Sequence, residues 1–385
     1  MDIAEFPHRL GGAVLTPDAP GLSTLVALLR MGGQIRTRHS GATPVFGGSG
    51  PADTLACETS GSSGAPKTVL RRTASWYASF DVTRRYHAVT PGDRYAAFGS
   101  LGHSLPLYAA FEGLSLGADL ALLAGSSARR HVMALRDLGI TVLYATPVQL
   151  GLLCVSARAC NVAALPNLRL VMSGGGPCSG GLRAEVGRLC PNAVFRHFYG
   201  TSETSFVSWT GPDTPEGSVG RVYPGVDLSL DARGAIRVSS PYLFEGYEGA
   251  DRPDPAQGAR QVATGEIGRF DRNGFLYLRG RADRMVTVGD LNVFPEEIEA
   301  AILHDPAISL CAAIARPDPR RGHRIVCAVQ GSEDAGLVRR LRRRCREAVG
   351  PEAVPHRFVF MERLPLLRAG KPDIARIARE LPETP

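Results

Sequence analysis

Thr141-Val142-Leu143-Tyr144-Ala145, an apolar run without a charge, is followed at Val148 to Val155 by apolar residues at helical spacing. The same pairing recurs on both sides of it. Upstream stand Tyr95 to Phe98 with Leu105 to Leu116, and Ala118 to Leu123 with Ala128 to Leu138; downstream stand Arg169 to Met172 with Gly181 to Leu189. A strand that reaches its neighbour through a helix re-enters the sheet in the same direction, so the alternation predicts α/β structure with mostly parallel strands from Asp53 to about Arg279. After Asp283 the grain changes. Pro295 suits a first helical position, Glu296, Glu297 and Glu299 suit the positive end of that helix, and Ile298 with Ile302 form its apolar stripe. Strands are predicted near Ser309 to Ala315, Arg324 to Gln330 and Phe358 to Met361, so a small α+β domain closes the chain. The first fifty residues, rich in Gly, Pro, Thr and Ala, read as loops around one short helix at Leu22 to Leu29. The fold class expected is α/β, with a large N-terminal domain of mixed and parallel sheets flanked by helices over residues 1–282, and a small C-terminal domain over residues 283–385.

Of forty-four basic residues only two, Lys67 and Lys371, are lysines. Arginine replaces lysine on a solvated surface at little cost, but its planar fork cannot replace a compact ammonium aimed at one phosphate or carboxylate oxygen, so these two are expected to carry chemistry. Lys67 closes Thr59-Ser60-Gly61-Ser62-Ser63-Gly64-Ala65-Pro66-Lys67, whose hydroxyls and glycines suit either a bland turn between two strands or a loop around a polyphosphate. It is not a Walker A loop. Pro66 stands where that motif needs glycine, fixes φ and donates no N–H. Phe198-Tyr199-Gly200-Thr201-Ser202-Glu203-Thr204 follows a predicted strand at Ala193 to His197 and offers hydroxyls and one carboxylate, a set that can hold Mg²⁺ against phosphate oxygens. Thr264-Gly265-Glu266, Gly280-Arg281-Ala282-Asp283, Asn292 to Glu299 and Leu364-Pro365 to Gly370-Lys371 come after it in that order.

In order and wording these segments resemble the adenylate-forming (AMP-binding) superfamily of acyl- and aryl-CoA synthetases, peptide-synthetase adenylation domains and luciferases. The resemblance runs from about Leu55 to Ile377 and takes in Ser173-Gly174-Gly175-Gly176-Pro177, Gly220-Arg221, Pro224-Gly225 and Gly246-Tyr247. It implies an AMP-forming ligase that uses ATP and Mg²⁺ to turn a carboxylic acid into an acyl-adenylate. The acyl group then passes to a thiol, that of coenzyme A or of a carrier protein's phosphopantetheine. By motif position, Thr59, Ser60, Gly61, Ser62, Ser63, Gly64 and Lys67 would handle the β- and γ-phosphates. Gly174, Gly175, Gly176, Tyr199 and Gly200 would also belong to the nucleotide site, Thr201 and Ser202 would contact phosphate, and Glu203 would hold Mg²⁺. The resemblance further assigns Glu266 to the ribose hydroxyls, Arg281 to the ribose or phosphates, Lys371 to a bridge between substrate carboxylate and α-phosphate, and Asp283 to the hinge of a mobile small domain.

His103, in Gly102-His103-Ser104, matches a position lining the acid or the thiol entrance, although a lone histidine serves equally well as a satisfied structural group. The acid pocket would lie between the His103 segment, Gly174 to Gly176, and Phe198 to Phe206, and its phenylalanines and glycines suit a flat or apolar acid, aromatic or of medium acyl length. Three departures stand out. Gly289-Asp290 replaces a pair of glycines beside the pantetheine path, Glu266 replaces the usual aspartate, and less chain precedes the phosphate loop than in full-length members, which implies that part of one subdomain is missing or rebuilt.

Composition sets outer bounds. An apolar fraction of 44% with 21% charged residues is that of an ordinary globular chain, and no run approaches the roughly 18 apolar residues of a membrane span, so a cytoplasmic enzyme without a membrane partner is expected. Eight cysteines without metal-ligand spacing read as reduced thiols, with no structural metal. Arg339, Arg340, Arg342, Arg343, Arg344 and Arg346 surround Leu337, Leu341 and Cys345 at helical spacing, and read as a solvated face or as a dock for an acidic carrier protein or coenzyme A. No aromatics interleave them, which argues against nucleic acid. Two other classes compete with the ligase: an inactive nucleotide- or carrier-binding scaffold of the same ancestry, opposed by the retention of both lysines, Glu203 and Arg281, and a P-loop hydrolase, opposed by Pro66.

Overall fold

The computed structural model describes residues 12–16, 19, 21–31, 34–37, 53–59, 67–125, 127–249, 260–305, 307–367 and 372–382. Helix α1 (Leu22–Met31), where a helix was expected, packs its Leu22 and Leu25 against a small sheet begun by β1 (Ile35–Thr37), β2 (Thr54–Thr59) and β3 (Lys67–Arg72). Strands β2 and β3 run antiparallel with Thr59 opposite Lys67, so the two ends of the expected phosphate loop are neighbours. Ser60, Gly61, Ser62, Ser63, Gly64, Ala65 and Pro66 lie outside the described residues.

The alternating segment then folds as its period requires. Helix α2 (Thr73–His87) leads through β4 (Arg94–Phe98), α3 (Ser104–Ser115), β5 (Asp119–Leu123), α4 (Ala128–Asp137), β6 (Val142–Ala145), α5 (Pro147–Ala159), β7 (Leu170–Ser173) and α6 (Gly180–Leu189) to β8 (Val194–Thr201). Strands β4 to β8 are mutually parallel, and β9 (Ser205–Trp209) and β10 (Arg221–Val222) return antiparallel, giving the order β10-β9-β8-β7-β6-β4-β5. Side chains alternate across this sheet. Tyr95, Ala97, Tyr144 and Met172 point into a core shared with α2, α3 and the small sheet, while Ala96, Phe98, Leu143 and Val171 meet α4, α5 and α6.

Helix α3 lies inside the first core, with every residue from Pro106 to Leu114 buried, so it has no solvated face to offer. Glu112 sits on it all the same, with 0% of its surface exposed. It accepts hydroxyl bonds from Tyr95 (3.2 Å), Tyr108 (3.3 Å) and Tyr144 (2.5 Å), which satisfy the carboxyl in a place that water does not reach. Burial pushes its pKa up to about 7 against the opposing pull of those hydroxyls.

Strands β11 (Asp227–Leu230) and β12 (Ala235–Ser239) open a third sheet, β13 (Gly246–Tyr247) goes back to pair with β3, and β14 (Val262–Phe270) and β15 (Leu276–Arg281) complete the third sheet antiparallel. A small C-terminal domain follows, built on β16 (Val286–Val288), β17 (Leu291–Val293), α7 (Pro295–Leu303), β18 (Cys311–Asp318), β19 (Gly322–Gln330), α8 (Ala335–Val349), β20 (Arg357–Met361) and α9 (Ile374–Glu380). Pro295 takes the first helical turn of α7, as its missing N–H allows. Leu337, Leu341 and Cys345 of α8 enter the domain core, and two arginines of its outer face, Arg340 (3.1 Å) and Arg344 (3.7 Å), bracket the carboxylate of Asp305. All eight cysteines are free thiols. No helix among the described residues is long and apolar enough to cross a membrane.

Candidate active site

Parallel strands end together, and loops that leave their carboxyl ends are where an α/β sheet can expose backbone and side chains to a ligand. Two such ends are specialised. After β7 the chain continues as Gly174-Gly175-Gly176; a Cβ on Gly174 would stand 2.3 Å from the Phe198 ring, and Gly175 has φ +85°, which disfavours any side chain. After β8 the chain reverses within Thr201 to Ser205. Thr201 Oγ1 accepts the N–H groups of Glu203 and Thr204, both at 3.2 Å, and Ser205 takes the left-handed φ of +57°. Gly200 passes so close that a Cβ there would meet the Ser205 carbonyl oxygen at 1.7 Å. The tight reversal leaves half-buried Glu203 at its apex, with its own carbonyl held by the N–H of Phe244 (2.8 Å).

Lys67 is brought to this apex by sheet register. Strand β13 pairs with β3 so that Tyr247 faces Val69, two residues along from Lys67. The Tyr247 hydroxyl donates to Glu203 Oε1 (2.8 Å), and the Lys67 ammonium lies 5.2 Å from the centre of the Tyr247 ring. Burial pushes the Tyr247 phenol up to about 12, and the Glu203 carboxylate adds to the effect, so it stays a donor. A carboxylate has about four lone-pair sites, so the Tyr247 bond leaves Glu203 capacity for a cation. One carboxylate with phosphate oxygens and water is a common Mg²⁺ environment, and these residues fit it. Among the described residues, no group of three or more His, Cys, Asp or Glu is placed to hold a metal.

A second group adjoins the first through β8. Tyr199, two residues before Thr201, donates its hydroxyl to Glu266 Oε2. Burial raises this phenol far above its ordinary value, with Glu266 reinforcing the shift. Pairing of β14 with β15 sets Glu266 directly opposite Arg281, and Gly265 (φ +79°) leaves room for the Arg281 guanidinium beside it. Arg281 makes a two-pronged ion pair with Asp283, both bonds 2.9 Å, which depresses the Asp283 carboxyl and raises the guanidinium. Immediately beyond, the C-terminal domain is fastened to β15. Glu297 takes Arg279 at 2.9 Å, the Arg281 N–H reaches Glu296 Oε1 at 3.4 Å, and Glu296 fits over Gly280, where a Cβ would come within 2.5 Å of its Oε2.

His103, half-buried, precedes α3 on the same edge of the sheet, and is the residue from which that helix starts. Phe198 and Phe206 pack edge to face at 4.7 Å, with Tyr108 beyond Phe206 at 5.2 Å. Thr59 joins Lys67 through its hydroxyl, which donates to the Lys67 carbonyl (3.3 Å). Lys371, like Ser60 to Gly64, lies outside the described residues. Of the expected site residues, Lys67 and Glu203 both meet Tyr247 and Thr201 holds the Glu203 N–H, while Tyr199, Glu266, Arg281 and Asp283 form a second linked series.

Motif reading passed over Arg71. It is 2% exposed, and it donates to Ser205 Oγ (2.7 Å), the Tyr242 carbonyl (3.0 Å), Ser75 Oγ (3.2 Å) and the Ser202 carbonyl. The available signal was its place in β3: residues two apart share a face of a strand, and Arg71 stands two beyond buried Val69.

Residues 53–248 match the family described as AMP-binding enzyme, and residues 297–371 match the AMP-binding enzyme C-terminal domain. An uncharacterized acyl–CoA ligase of Bacillus subtilis strain 168 is 30% identical over 340 residues, covering 85% of this chain and 68% of its own length. An L-proline–[L-prolyl-carrier protein] ligase of Streptomyces coelicolor is 31% identical over 363 residues, covering 85% of this chain and 66% of its own. The solved structure of the amide bond synthetase McbA from Marinactinospora thermotolerans superposes with a TM-score of 0.73 at 26% identity, covering 88% of this chain and 72% of that one.

Proposed function

Because this chain belongs to the AMP-binding enzyme family, we propose that it is an ATP-dependent, AMP-forming acid–thiol ligase acting on a small carboxylic acid. A free carboxylate resists acyl transfer because its leaving group would be an oxide. In the first step a carboxylate oxygen attacks the α-phosphorus of ATP and pyrophosphate departs, which leaves an acyl-adenylate. In the second the sulfur of coenzyme A or of carrier-protein phosphopantetheine attacks the acyl carbon, AMP departs, and the thiol proton is released. Both partners of the first step are anions, so neutralising charge and aligning the reactants is the main task, and no general base is needed.

The observation that carries this reading is the meeting of Lys67, Tyr247 and Glu203 at the apex of the β8–β9 reversal. Lys67 and the Thr59 to Gly64 loop would take the β- and γ-phosphates, and Thr201 and Ser202 would add hydroxyls. Glu203 would hold Mg²⁺, whose part is to offset phosphate charge. Glu266 and Arg281 would bind the ribose, and Gly174 to Gly176 would let the nucleotide lie close to the backbone. Lys371 would bridge the two reacting anions from a lid of residues 283–385, swinging about Asp283 relative to residues 1–282. His103, Phe198 and Phe206 would bound an acid pocket suited to an aromatic or medium acyl group. The ion pair of Arg281 with Asp283 supports the hinge, since two bonds anchor that residue to β15 just before the C-terminal sheet begins.

ATP–pyrophosphate exchange across a panel of aryl and acyl carboxylates tests the reading. Acid-dependent exchange is expected, with Lys371→Arg folded but reduced by about 10² to 10³, the usual loss when one electrostatic group is displaced. Phosphate release without acid, or near-normal exchange in Lys371→Arg, would contradict it.

A further inference from the structure

Four neutral groups receive the Arg71 guanidinium: two hydroxyls and two backbone carbonyls. They belong to three separate pieces of the candidate site. Ser75 is on α2, which continues from the strand that Lys67 begins; Ser202 and Ser205 flank Glu203 in the reversal; and Tyr242 lies in the segment that supplies the Phe244 N–H to the Glu203 carbonyl and the Tyr247 hydroxyl to its carboxylate. The bonds leave from the two terminal nitrogens of the planar guanidinium, a spread that a lysine ammonium lacks. Burial of a cation among neutral partners is costly, so a purely structural knot would be better served by a neutral side chain. Burial lowers the guanidinium pKa to about 10, and the fields of Cys57 and Glu203 act against that.

We propose that Arg71 is a positioning residue for nucleotide activation, fixing the Ser202–Ser205 reversal so that Glu203 presents its carboxylate to the metal–phosphate complex in step with Lys67. The inference deepens the ligase reading and rests on it. It assigns to Arg71 no contact with substrate; its effect passes through Glu203.

The test compares Arg71→Lys, Arg71→Met and Ser205→Ala with the unaltered full chain. Melting temperature, exchange rate against Mg²⁺ and against the acid, and calorimetric binding of ATP with and without Mg²⁺ are measured on each. In Arg71→Lys and Ser205→Ala the Mg²⁺ needed for half-maximal exchange should rise about tenfold, the equivalent of one lost hydrogen bond to a charged group, with the KM for the acid within about twofold. Saturating Mg²⁺ should recover part of the rate. An unchanged Mg²⁺ response in both variants overturns the inference, even if they melt earlier. Should Arg71→Met fail to fold, Ser205→Ala, which removes the hydroxyl that accepts from Arg71 and donates to the Tyr242 carbonyl (3.2 Å) but leaves the guanidinium in place, decides the matter. Should the unaltered chain show no acid-dependent exchange, the ligase reading fails separately. Calorimetry then judges Arg71 alone: the extra affinity that Mg²⁺ confers on ATP should fall in both variants, and its retention refutes the role.

Discussion

Tyr199 holds the end of Glu266, so the methylene that makes this side chain longer than an aspartate does not free its carboxylate. Tyr199→Phe removes that donor, together with the hydroxyl's bond to Thr264, and keeps the ring. The half-buried carboxylate can turn partly to water, so the expected stability loss is about 1 kcal/mol, and the KM for ATP should rise about fivefold with kcat nearly unchanged. Initial exchange rates at varied ATP check this; an unaltered KM would remove Glu266 from the nucleotide site. Lys67, Glu203 and Arg281 were legible as candidates because a lysine is rare in this chain and because motif order marks the other two. Their supporting partners were not. Tyr199 is 67 residues from Glu266, Tyr247 is 44 from Glu203, and Arg71 is 134 from Ser205, and no local spacing encodes a contact made between elements of different sheets.

The β8–β9 hairpin is built round a glycine that has no alternative. Gly200→Ala would force a methyl carbon against the Ser205 carbonyl at 1.7 Å, and backbone cannot yield as a flexible side chain can. The reversal should open, with urea denaturation showing a loss of about 3 kcal/mol or more and exchange falling by more than tenfold. Wild-type stability in this variant would mean that the hairpin is looser than described. The strand expected at Ala193 to His197 was real but too short: β8 runs from Val194 to Thr201, so part of the motif expected to follow the strand belongs to it. The βα alternation was legible because long buried runs and helical stripes repeat. Strands β11 and β13 escaped notice because one alternates half-exposed with exposed positions and the other has two residues, too little pattern for periodicity to register.

Three buried titratable groups contribute opposing parts of the pH response. Burial brings His87 and His197 down to about 4 from 6.5, so the unfolded chain takes up protons there that the folded chain refuses, and stability falls as pH drops from about 6.5 to 4. Glu112 acts in the opposite sense. Raised from 4.5 to about 7, it gives a contribution that is complete below pH 4.5 and lost as pH rises through 7. Glu112→Gln keeps the shape without the charge, and should stabilise the protein at pH 8 by on the order of 1 to 3 kcal/mol while changing little at pH 4.5. Chemical denaturation at the two pH values decides; an equal offset at both would show that Glu112 does not titrate across folding. Among the side chains that carry positive charge, guanidinium groups are inert toward activated acyl donors, whereas lysine is the side chain such donors modify, and Lys67 stands exposed beside Tyr247. Under the ligase reading, a protein that generates mixed anhydrides in its own cleft and carries Lys67 and Lys371 as its two lysines has narrowed its side-chain amines open to accidental self-modification to those two.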